Sequence, residues 1–126
     1  MKIATRLIPC SLLLFASLLA ASEQKPLKIE GYVLDSACAF VRNVKKPMGG
    51  GQCAIECAKA GSPLVILADD GTIYWPISDA MPAMGQNSRL MEFAGKRVAV
   101  TAKSHFERGG SHAVVIDQIE AKADSK

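Results

Sequence analysis

The chain has 126 residues with 15 basic and 12 acidic side chains, and almost half of it is apolar. Setting aside Lys2 and Arg6, which belong to an amino-terminal leader, leaves thirteen basic against twelve acidic groups. That near-neutral balance excludes the basic surplus that nucleic acid or an anionic membrane surface requires.

The leader comes first in the chain. A short basic start is followed by an apolar stretch over residues 7–21 and small residues at Ala20, Ala21 and Ser22. This pattern predicts a secretory signal peptide over residues 1–22, cleaved before Glu23, and a periplasmic or secreted product. The stretch is too short to span a bilayer, so no transmembrane segment is expected in the mature chain. Cys10 precedes most of the apolar core, which excludes a lipoprotein acylation site, and it leaves with the leader. Residues 23–126 then form a single domain.

The mature chain is expected to be mainly β. Leu27, Ile29, Gly31 and Val33 alternate with Lys28, Glu30 and Tyr32, predicting a half-buried first strand that ends near Asp35. Residues 42–51, with three successive glycines, are expected to form a mobile loop. Residues 52–60 predict a short helix of good helix formers, stopped by Gly61 and Pro63. Two apolar runs, 64–68 and 72–77, flank Asp69-Asp70-Gly71, and an Asp-Gly turn supplies the positive φ of a tight hairpin. Residues 79–86 are expected to be irregular. Residues 88–94 predict one or two helical turns capped by Asn87, with Leu90 and Phe93 inward. Residues 96–103 place Val98, Val100 and Ala102 on one strand face, against Arg97, Thr101 and Lys103. Arg108-Gly109-Gly110-Ser111 then turns the chain into a closing strand over 112–120, where adjacent Val114 and Val115 imply a bulge or burial on both faces. Five strands with a helical interruption on each side of the middle hairpin suit a small five-stranded barrel of the oligonucleotide/oligosaccharide-binding (OB) type.

Four segments carry a resemblance. They are Gly31-Tyr-Val-Leu-Asp35-Ser-Ala-Cys38, Cys53-Ala-Ile-Glu-Cys57-Ala-Lys-Ala-Gly61-Ser-Pro63, Asp70-Gly-Thr-Ile-Tyr74 and Phe93-Ala-Gly-Lys96-Arg-Val-Ala-Val-Thr101. Together they resemble small exported, largely uncharacterised bacterial proteins built on an OB-like barrel. The likeness spans nearly the whole mature chain and implies that Asp35, Cys38, Cys53 and Cys57, in Asp-x-x-Cys and Cys-x-x-x-Cys elements, carry the function. It implies no substrate.

Three mature cysteines cannot all pair within one molecule, and besides a bond to a second chain an oxidising compartment leaves them three outcomes. The first is a disulfide from Cys38 to either helix cysteine, because Cys53 and Cys57 lie about 5–6 Å apart at Cβ, too far for a direct bond. The second is a soft-metal site, with three thiolates suiting Cu(I), or zinc joined by Asp35, His105 or His112. In this reading Cys53, in the first helical turn, is a favoured thiolate. The third is thiol–disulfide exchange, in which the spare helix cysteine attacks the bond formed by the other two. The absence of Cys-x-x-Cys and of a βαβ pattern weighs against that oxidoreductase.

Other candidates have blander readings. Met48, Met81, Met84 and Met91 read as core fillers rather than thioether ligands. His105 and His112 flank the Gly-Gly turn and could approach one another across the last hairpin, but isolated surface histidines are the first reading. Tyr32, Tyr74, Trp75 and Phe106 would make a stacking platform, but export and neutral charge argue against nucleic acid. No catalytic constellation emerges. The sequence therefore predicts a binding or structural module of the cell envelope rather than an enzyme, with an unidentified ligand or envelope protein as partner.

Overall fold

The computed structural model describes residues 25–124. The expected signal peptide, its cleavage before Glu23 and Cys10 lie outside these residues. Five strands, β1 (Leu27–Asp35), β2 (Leu64–Ala68), β3 (Ile73–Pro76), β4 (Arg97–Arg108) and β5 (Ser111–Ala121), close into a barrel in the order β1-β2-β3-β5-β4. Every pairing is antiparallel except the parallel β3–β5 contact that completes the ring. The small OB-like barrel expected from strand count is the architecture found, and closure leaves no long unpaired edge. No helix among the described residues is long and apolar enough to cross a membrane.

The interior is one continuous core. Ile29 and Val33 of β1, Ile66 of β2, Val98 and Val100 of β4, and Val114 and Ile116 of β5 meet there, with Leu90 entering from outside the sheet. The alternation predicted for β1 holds only as far as Glu30. From Gly31 to Asp35 both faces are buried, because Tyr32 and Leu34 join Leu67 in a second cluster beneath Val44 and Ile73. Gly31 belongs to this crowded stretch: a Cβ there would stand 2.0 Å from the Leu67 carbonyl oxygen.

Both hairpins form where expected, by different turns. In β4–β5 two successive glycines, Gly109 and Gly110, take positive φ between the paired Arg108 and Ser111, as a two-residue turn matched to strand twist requires. Between β2 and β3, however, Gly71 alone is left-handed, at φ 89°. The Gly71 amide donates to the Ala68 carbonyl and the Ala68 amide donates to the Thr72 carbonyl, so the connection is a three-residue turn closing on a glycine bulge.

One strand expectation needs correction, and one alternative is decided. Arg97, placed on the solvent face by alternation, is only 7% exposed. It lies over the Tyr32 ring and donates to both Asp69 carboxylate oxygens at 2.6 Å, so a bidentate partner compensates its burial. The β5 irregularity falls at Asp117 rather than at Val114 and Val115, with a matching extra residue at Lys103 on β4. Val114, Val115 and Ile116 are all buried, which accounts for their apolar run by burial on both faces.

Helix α2 (Gln52–Lys59) ends as predicted. The Ser62 amide donates to the Cys57 carbonyl and the Gly61 amide to that of Ala58, a Schellman closure with Gly61 at φ 101°. The second helical segment divides into α3 (Asn87–Leu90) and a 3-10 turn, Met91–Phe93. Its predicted cap is different: Gln86 occupies that position without a side-chain bond, and Asn87 bonds elsewhere. The glycine loop is also not free along its length. A 3-10 turn, Gly49–Gly51, brings Gly51 against Gly95 so closely that a Cβ on Gly95 would fall 2.3 Å from the Gly51 Cα.

Candidate functional site

The cysteines are brought together by a helix that periodicity does not reveal. Asp35 ends β1 and caps α1 (Ser36–Phe40), its Oδ1 accepting from the Cys38 amide at 2.6 Å. An aspartate three residues ahead of the amide it holds is a standard N-terminal signal, so Asp-Ser-Ala-Cys is a capping unit that fixes Cys38 in the first turn. Ser62, just past α2, donates its hydroxyl to Asp35 Oδ2 at 2.5 Å, and the Ser36 amide donates to the Pro63 carbonyl. Asn87 completes the set, donating to the Ser62 carbonyl at 2.7 Å and accepting from the Leu64 amide at 2.9 Å. One buried carboxylate thus joins the end of β1, the start of α1 and the chain leaving α2.

Helix α2 supplies the other sulfurs. It turns Ala54 and Ala58, both buried, toward the barrel. Cys53 and Cys57 precede them by one residue, so they lie about 100° around the axis on the helix flank facing α1. Cys38 Sγ stands 3.8 Å from Cys53 Sγ. Cys57, Asp35, Val41, Arg42 and Met48 line the same cleft, of about 280 Å³. All three cysteines are free thiols. The four residues singled out by the Asp-x-x-Cys and Cys-x-x-x-Cys elements therefore share one cleft.

Its electrostatics disfavour thiolates. Burial, and after it the Asp35 carboxylate and the neighbouring Cys53, push the Cys38 thiol up to about 12. Burial, the Asp35 charge and Cys53 also raise Cys57. For Asp35 itself burial works upward, but the Ser62 hydroxyl and the Cys38 and Ala37 amides outweigh it and hold the carboxyl below its ordinary value. The charge in this cleft therefore rests on Asp35, which with burial keeps the Cys38 and Cys57 thiols protonated.

Two bonding modes fit the sulfur pair. A disulfide needs the sulfurs at about 2.05 Å, against their present contact at 3.8 Å. Two thiolates sharing a tetrahedral zinc, each at about 2.3 Å, would be about 3.8 Å apart. Yet among the described residues no group of three or more His, Cys, Asp or Glu is disposed to hold a metal ion. His105 and His112, considered as a fourth zinc ligand, are not among the residues lining this cleft.

Several other expectations change. His105 and His112 are not isolated: Nε2 of the first lies 3.2 Å from Nδ1 of the second. Met81 and Met84 are 94% and 70% exposed and fill no core gap. Met91 packs against the core, and Met48 borders the cysteine cleft. The four-aromatic platform is not assembled, since Tyr32 and Tyr74 are buried and Phe106 is exposed. Trp75 instead stacks on Phe40, the last residue of α1, with ring centroids 5.7 Å apart. Comparison of the chain with protein-family models, with curated proteins and with solved structures finds no match.

Proposed function

We propose that this chain is a small exported binding or structural domain of the cell envelope, in which a Cys38–Cys53 disulfide staples α1 to α2 beside the remaining thiol of Cys57. The 3.8 Å contact between the two sulfurs carries this reading. In the chain-entropy picture, closing the loop between residues 38 and 53 contributes roughly 3 kcal/mol. That loop includes the triple glycine, whose backbone freedom is the costliest to lose on folding. Disulfide formation also replaces two thiols with a neutral group that needs no ionisation beside Asp35.

The oxidoreductase alternative is weaker on chemical grounds. Exchange enzymes rely on depressed thiol pKa values, whereas Cys38 and Cys57 are shifted upward. A soft-metal reading retains one favourable observation: Cys57 and the Met48 thioether open on the cleft that holds the sulfur pair, donors that suit Cu(I).

Intact mass separates these readings on protein taken from the compartment to which it is delivered. A staple leaves one alkylatable cysteine without reductant and three with it. Three alkylatable cysteines without reductant, or three released only by a chelator, overturn the staple, and the second result moves the assignment to metal. Catalysed reduction of a disulfide substrate would overturn the structural reading in favour of the enzyme.

A further inference from the structure

The geometry points to a second site, independent of the cysteine cleft: we propose that His105 and His112 bind a divalent late-transition-metal ion such as Ni²⁺, Cu²⁺ or Zn²⁺ beside the Gly109-Gly110 turn of the β4–β5 hairpin. Paired irregularities in those two strands create the site. Val98 and Val100 point into the barrel on β4, so strict alternation would turn the odd-numbered residues outward as far as the hairpin tip. The extra residue at Lys103 reverses that phase. Beyond it His105 pairs with Val114, which is completely buried, and Glu107 pairs with His112. The extra residue at Asp117 makes the matching change on β5, from Ile119 to Ile116 and Val114 on the core side. Arg89 secures this register by donating to the Ile116 and Asp117 carbonyls at 2.6 and 2.8 Å.

The result is a small polar extension of the core face. His105, Glu107 and His112 share it with Tyr74, whose register partner across the parallel β3–β5 seam is His112. The two imidazole planes lie 12° apart with centroids 5.4 Å from one another, and Tyr74 presents an edge contact to each ring. A centroid separation of that size with nitrogens 3.2 Å apart describes rings meeting through their nitrogen edges.

Two neutral imidazoles have one lone pair each to offer at this meeting point, and only one proton is needed to join them. An ion can take the place of that proton. Two nitrogens at about 2.0–2.1 Å from one ion, at near-tetrahedral angles, are about 3.3 Å apart, so the present spacing needs little change beyond a swing of each ring. The charge environment suits a cation. Asp70 and Glu107 are both close enough for their charges to act on Tyr74, which is in edge contact with both rings. Among the described residues no third His, Cys, Asp or Glu completes a ligand set. The protein therefore supplies two nitrogens and leaves the remaining positions to water or an external ligand. Imidazole favours nickel, copper and zinc over calcium or magnesium.

The test is NMR of the complete mature chain, with aqueous Ni²⁺ as the probe. Substoichiometric Ni²⁺ should broaden the ring signals of His105 and His112 before any others, while equimolar Mg²⁺ leaves them unchanged. His105→Gln and His112→Gln should each weaken binding tenfold or more while amide dispersion stays native. His105 is exposed and His112 half-buried, so both substitutions are compatible with folding. Retention of near-native affinity in either variant would overturn the proposal. So would broadening confined to Cys38, Cys53 and Cys57, or no histidine broadening at equimolar Ni²⁺.

Discussion

Asp35→Ala should be the most informative single substitution outside the sulfurs. It removes the acceptor for the Cys38 amide and for the Ser62 hydroxyl at once. Loss of an N-terminal cap costs about 1 kcal/mol, and the half-buried Ser62 hydroxyl left without its partner adds about 1–3 kcal/mol at most. The expected total is about 2–4 kcal/mol, a large share of the about 5–15 kcal/mol by which domains are stable. Asp35→Asn retains an acceptor for the amide and should cost about 1 kcal/mol. Urea unfolding in the presence of reductant, so that no disulfide contributes, measures each value. Trp75, the only tryptophan, stacks on Phe40 at the end of α1 and reports that helix directly. The carboxyl is held below its ordinary value in the fold, so its stabilisation is fully present above about pH 3.8. It fades as pH falls through the lower folded value. Wild type should therefore lose stability below about pH 3.8 more steeply than Asp35→Asn. An alanine variant within about 0.5 kcal/mol of wild type, or equal costs for alanine and asparagine, would refute the idea that this carboxylate organises the site.

Other expectations follow from the same structure. After reduction, Cys38 should alkylate with a rate that rises about tenfold per pH unit toward pH 12 and shows no plateau near 9. Gly95→Ala should cost roughly 3 kcal/mol or more by urea unfolding, because φ is 74° and the new Cβ would meet the Gly51 backbone. Arg97→Met should cost about 1–3 kcal/mol. It should also flatten the acid limb of the stability curve: the Arg97 hydrogen bonds hold the Asp69 carboxyl low, so that contribution is present above about pH 3.8 and is lost as pH falls. Removing Lys103 should return His105 to the other face of β4, detectable as loss of the nuclear Overhauser contact between the two imidazoles.

The barrel was legible because its punctuation is local. Gly109-Gly110 and Gly61 each mark a position where the backbone turns left-handed, and the apolar alternation between them sets strand number. The capping of α1 was equally local, yet five residues provide too little periodicity to identify a helix. Asp35 could be noticed only as an acceptor waiting for the Cys38 amide. Arg97 was misplaced because the compensation for its burial comes from Asp69, 28 residues earlier, on a turn whose spatial position only the closed sheet determines. The face on which the histidine pair meets was not legible, for a related reason. Strict alternation places His105 opposite to Val98, Val100 and Ala102, and the extra residue at Lys103 that restores it to their face has no signature in composition. Convergence of the three cysteines was readable from four-residue spacing on α2 and the short connection to β1. Which helix sulfur meets Cys38 was not, since that depends on how Ala54 and Ala58 rotate α2 against the barrel.

That rotation also decides how the thiols behave. With Cys53 turned toward Cys38, Cys57 is left one helical turn away in the same cleft, placed to attack a bond between the other two. Attack requires a thiolate, and Asp35 and burial oppose it at both Cys38 and Cys57. The same carboxylate cannot be relocated without cost, because it caps α1 and holds Ser62. Its charge is thus a structural necessity with a chemical consequence: it slows exchange while leaving the equilibrium between neutral thiols and disulfide nearly untouched at neutral pH. A shuttle enzyme would need the opposite arrangement, with a cation or an uncompensated helix terminus beside the attacking sulfur. The placement of Asp35 favours a bond that persists once made.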